Sequence, residues 1–138
     1  MSELLKKHNI QCEVNYYRDE CEISKLIGHK VIDVFHNEYV FEILTETHLF
    51  TLYHERDCCE HVYLQDIVGD VSDLIGNEIL KSEESTSDEN PLCEYEESFT
   101  WTFYKFATIK GYVDLRWYGS SNGYYSESVN VLMSELPK

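Results

Sequence analysis

The sequence predicts an α+β domain built mainly on an antiparallel sheet of about six or seven strands, with one or two short helices. Three observations carry that reading. Short runs rich in Val, Ile, Phe, Thr and Tyr recur between polar breaks, as in KVIDVFH (30–36), YVFEIL (39–44) and HLFTLYH (48–54). A second set, FTWTFYKFATI (99–109), YVDLRWYG (112–119) and YYSESVNVL (124–132), repeats the pattern near the C-terminal end. Between and before them lie only brief helical signals.

The elements follow in chain order. Residues 1–22 mix charges with Leu4, Leu5, Ile10 and Val14 and read as a short helix leading into an arm. EISKLIG (22–28) is a turn of amphipathic helix closed by Gly28, where glycine accepts a left-handed cap. The three runs from 30 to 54 are separated by Asn37-Glu38 and Thr45-Glu46-Thr47, which predicts a meander. Val71–Ile75 reads as a second helical turn, with Asp70 as N-cap and Gly76 as stop. Residues 82–97 contain seven acids and no basic residue, and read as an acidic loop. Trp101 and Phe103 share one face of the next strand and Tyr104 and Phe106 the other, which predicts a strand covered on both sides. In YVDLRWYG, Val113, Leu115 and Trp117 share a face opposite Asp114 and Arg116. Asn122-Gly123 between β-prone runs predicts a hairpin joining 112–119 to 124–132. The whole chain, 1–138, reads as a single domain.

Composition narrows the function classes. Against 11 Lys+Arg stand 26 Asp+Glu, for a net charge of −15. Nucleic-acid binding needs clustered cations, and anionic membrane surfaces attract basic segments, so direct contact with either is disfavoured. Eleven Tyr, 6 Phe and 2 Trp separate the chain from disordered acidic sequences. With no secretory or membrane-spanning pattern and an odd number of cysteines, five, the expected location is a reducing cytoplasm.

Three constellations carry chemistry. The densest is His54-Glu55-Arg56-Asp57-Cys58-Cys59-Glu60-His61. Thiolate and imidazole suit tetrahedral zinc, so His54, Cys58, Cys59 and His61 are the candidate ligands, with Cys93 as a further donor. A disulfide between Cys58 and Cys59 is not expected, since adjacent residues depart from ordinary bridge geometry. The alternative is a small buried cysteine among surface histidines. A second set, Asp57, Glu60, Asp66, Asp70, Asp73, Glu83 and Glu84, offers carboxylates for a divalent ion or proton transfer. A solvated acidic face accounts for most of it. The third set is Arg116, Tyr118, Asn122 and Tyr124, which would clamp an anion and stack on a ring; a packed hairpin is the blander account. No nucleophile-and-base signature is present.

The segments H-x2-D-C-C-E at His54–Glu60, D-L-I-G and E-E-S within 73–85, and T-W-T-F-Y-K through R-W-Y-G-S-S-N-G-Y-Y-S-E within 100–127 resemble a small domain family of unknown function common in phage and prophage genomes. The resemblance spans about 25–131 and brings no activity. It implies a phage accessory protein, and by analogy an inhibitor of a bacterial defence nuclease of anti-CRISPR type, with Cas9 as the leading partner and host cytoplasm as the setting. Glu83, Glu84, Asp88, Glu89, Glu94, Glu96 and Glu97 would then meet a basic groove. The rival readings are a small metal-dependent or nucleotide-ligand enzyme using His54, Asp57, Glu60 and Arg116, and a phage assembly factor.

Overall fold

The computed structural model describes residues 2–11 and 19–137. Its architecture corrects the α+β expectation: the fold is all-β. Among the described residues nine strands form two antiparallel sheets, and the one α-helix, α1 (Glu3–Lys7), has five residues. The strands are β1 (Asp19–Glu20), β2 (Val31–His36), β3 (Val40–Thr45), β4 (His48–Tyr53), β5 (His61–Val68), β6 (Lys81–Ser87), β7 (Ser98–Thr108), β8 (Gly111–Ser121) and β9 (Asn130–Glu135). The five-stranded sheet has the order β1-β9-β4-β3-β2, and the four-stranded sheet the order β5-β8-β7-β6.

Alternation along each strand sends one set of side chains into a shared core. Phe41, Ile43, Phe50 and Leu52 come from the first sheet; Tyr104, Phe106, Val113, Leu115 and Trp117 come from the second. All nine are essentially inaccessible. Phe41 of β3 stacks on Phe106 of β7 with ring centroids 6.5 Å apart, which joins the sheets face to face. Both expected helical turns appear as 3-10 turns, Ile23–Leu26 and Val71–Asp73. Gly28 and Gly76 follow them at φ +91° and +82°. The Asp70 carboxylate accepts from the Ser72 amide at 2.9 Å, the expected cap.

On the outer face of the five-stranded sheet, α1 packs Leu4 and Leu5 against Leu44 and Leu49. Ser2 caps the helix, and the buried Glu42 carboxylate accepts from the Leu4 amide. Lys7 and His8 both reach Asp33, at 2.7 and 2.9 Å.

Two further expectations change. Residues 81–87 are an edge strand, so the acidic loop begins only at 88. Asn122-Gly123 turns, but it does not close a hairpin. The partner of β8 is β7, joined through the two residues Ile109 and Lys110, while β9 pairs with β4 and β1 in the other sheet. The reason is occupancy: β8 already has β7 on one side and β5 on the other, so the following segment must leave the sheet. Glu127 anchors that departure, accepting from Thr100 and Ser121 hydroxyls.

Candidate functional site

The segment leaving β4 is tied around one buried carboxylate. Glu60 is 1% exposed and accepts from the backbone amides of Cys58 (2.9 Å) and Asp57 (3.1 Å). Its other neighbour is His54 Nε2 at 3.1 Å, while His54 Nδ1 lies 2.7 Å from the Ser128 carbonyl. Burial pushes the Glu60 carboxyl up, yet the hydrogen bonds from Cys58, Glu60 and Asp57 amides and from His54 outweigh it and hold it at about 2. Glu60 is therefore an anchor for a turn.

This bears on the metal ligands read from the sequence. Contrary to expectation, Cys58 and Cys59 are joined as a disulfide. Both ring nitrogens of His54 face acceptors, and His61 is exposed, stacked on Tyr63 at 4.6 Å. Among the described residues no group of three or more His, Cys, Asp or Glu side chains is placed to hold a metal. Cys93 is a free, exposed cysteine, and Cys12 lies outside the described residues. His54, Asp57 and Glu60 do share a depression with Ser126 and Asn130, but Arg116 lines a different one.

The acidic segment is an ordered strap. Residues 88–97 cross the outer face of the four-stranded sheet, where Trp101 Nε1 donates to the Asn90 carbonyl at 3.0 Å and the Leu92 amide donates to Tyr118 Oη at 3.3 Å. Trp101 and Tyr118 are consequently 4% and 2% exposed although they point away from the core. Glu83, Glu84, Asp88, Glu89, Glu94 and Glu97 are exposed and Glu96 half-buried. Of these seven, only Glu83 has an ion-pair partner among the described residues, Lys81 at 3.5 Å. Tyr118 loses its expected ligand role to this packing. Burial, then the charges of Glu96 and neighbours, push its phenol up against the Leu92 hydrogen bond.

Arg116 sits on the same outer face with its guanidinium 5.0 Å from the Trp101 ring centroid. Asn122 and Tyr124 do not join it. Asn122 Oδ1 accepts from the Tyr124 amide in the turn beyond β8, and Tyr124 is 83% exposed beside Tyr125. What surrounds Arg116 instead is Phe103, Lys105 and Asp114, brought in by the β7–β8 register. Alternation had already placed Asp114 with Arg116; pairing to β7 was the missing step.

No helix among the described residues is long and apolar enough to cross a membrane. No curated protein and no solved structure matches the chain. Residues 24–131 match the model of a domain of unknown function, DUF7448, and the chain belongs to that family.

Proposed function

We propose that this domain is a non-enzymatic binding module whose acidic strap and the adjoining β6 edge dock on a basic protein surface. The observation that supports it is the preordering of the strap over Trp101 and Tyr118, which leaves carboxylates exposed and largely unpaired. A ridge already held in place avoids most of the ordering cost of binding, and a net charge of −15 accelerates encounter with a basic groove. The nucleic-acid channel of a nuclease has that chemistry, and a Cas9-like defence nuclease of a bacterial host facing phage is the partner this reading names.

Incubating the protein with Cas9–guide complexes before adding target DNA tests it. Loss of DNA loading that weakens as salt rises, and that disappears with Glu94→Lys, Glu96→Lys and Glu97→Lys combined, supports the reading. Unimpaired loading at excess protein rejects the Cas9 assignment.

Zinc belongs to this reading as a scaffold ligand of the reduced protein. It would need the Cys58–Cys59 pair opened and His54 released from Glu60 and Ser128. Elemental analysis after reduction and reloading should then give about one zinc per chain; absence of bound metal removes zinc from the proposal.

A further inference from the structure

The outer face of the four-stranded sheet carries a depression of about 350 Å³ beside the strap. Strand register dictates its floor. Phe103 of β7 lies opposite Arg116 of β8, and Lys105 opposite Asp114, so a ring, a guanidinium, an ammonium and a carboxylate form a square. Ser85 and Glu83 of β6 border one side and Val68 of β5 the other.

The two charged residues on β8 are two apart on one face, yet they do not pair. The Arg116 guanidinium lies over Trp101 and makes no hydrogen bond or ion pair with a described residue. Asp114 Oδ1 is buried without a hydrogen-bond partner. Lys105 leans away, its Nζ 5.5 Å from the Tyr112 centroid. Half-buried Arg116 thus offers free donors, and Asp114 a buried acceptor, to the same space. Leaving the buried Asp114 oxygen unmatched is costly, and the free Arg116 donors beside it face the same depression, so the pair points to a ligand.

Sign decides its class. Glu83 and Asp114 stand against Lys105 and Arg116, two carboxylates to two cations, while Glu84 pairs with core-facing Tyr104 and its side chain leaves by the other face. The face carries no excess of either sign, so a dianionic phosphate leaves the carboxylates unmatched and a simple cation meets Arg116. A molecule with both charges a few bonds apart satisfies each group. We propose that this depression binds a small zwitterion of the α-amino-acid type, its carboxylate on Arg116, its ammonium on Asp114 and a flat or apolar side chain on Phe103 and Val68. The site shares Glu83 and the β6 edge with the proposed docking surface, but its test uses a free amino acid and no protein partner, so the two readings fail separately.

The probe is L-phenylalanine, titrated into the full chain labelled with ¹⁵N, with 3-phenylpropanoate, phenethylamine and adenosine monophosphate as comparisons. Binding should shift the amides of 103–105 and 114–116. Removing either charge from the probe should weaken binding about tenfold or more, as expected for a lost charge-assisted hydrogen bond. Arg116→Gln and Asp114→Asn should each do the same, and Arg116→Lys should restore part of the affinity. Because the comparison of probes uses the wild-type protein, it decides even where a variant fails to fold. No shift with L-phenylalanine, equal binding of 3-phenylpropanoate, or tighter binding of adenosine monophosphate overturns the proposal.

Discussion

Glu60 shows how one side chain can be visible in the sequence while its job is not. In HERDCCEH it reads as one more ligand or base, but it folds back to accept amides from its own turn and to face His54. Its carboxyl falls from 4.5 to about 2 in the folded protein. Asp33, which burial raises and the Lys7, His8 and Val34 contacts lower more strongly, falls from 3.8 to about 2. Folded values below the unfolded ones mean that the stabilisation is complete above about pH 4.5 and disappears as pH falls toward 2. Thermal melts across that range should show a falling midpoint, and Glu60→Gln should flatten the dependence while lowering stability at neutral pH. Gly119 makes a second residue-scale point. A Cβ there would meet the Glu127 carbonyl oxygen at 2.5 Å, a backbone atom that cannot swing aside. Gly119→Ala should cost about 1–3 kcal/mol in denaturant unfolding.

At the scale of elements, local pattern was legible wherever neighbours in sequence are neighbours in space. The β2-β3-β4 meander and both glycine-stopped turns follow from periodicity and turn chemistry. Residues 81–87 did not, because an edge strand of Glu, Ser and Thr has no apolar face to announce it. The hairpin expectation failed for a related reason: turn propensity at Asn122-Gly123 specifies a reversal of direction, not the strand that receives it. The strap after β6 depends on its contact with Trp101. Trp101→Phe keeps an aromatic ring, though a smaller one, and removes the Nε1 donor to Asn90. Hydrogen exchange should accelerate across 88–97 while the β7–β8 ladder stays protected, and global stability should fall by about 0.5–1.5 kcal/mol.

The whole molecule is a two-sheet sandwich whose stability rests on the interface between the sheets. Phe106 is fully buried there against Phe41. Phe106→Ala should cost about 3–5 kcal/mol, measured by chemical denaturation, because neither sheet can collapse into the space left. The acidic excess sits largely on the outside of that core, where the strap displays it. By itself the sequence determined a β-rich, strongly acidic chain, the periodicity of most strands and the turns that stop its short helical segments. Those properties depend on residue type and near neighbours. Tertiary structure alone decided that the strands divide between two sheets, that β9 returns to β4, that His54 faces Glu60 and that Phe103 lies opposite Arg116. Each of these depends on register between distant segments, which is set by how apolar faces close on one another and not by local propensity.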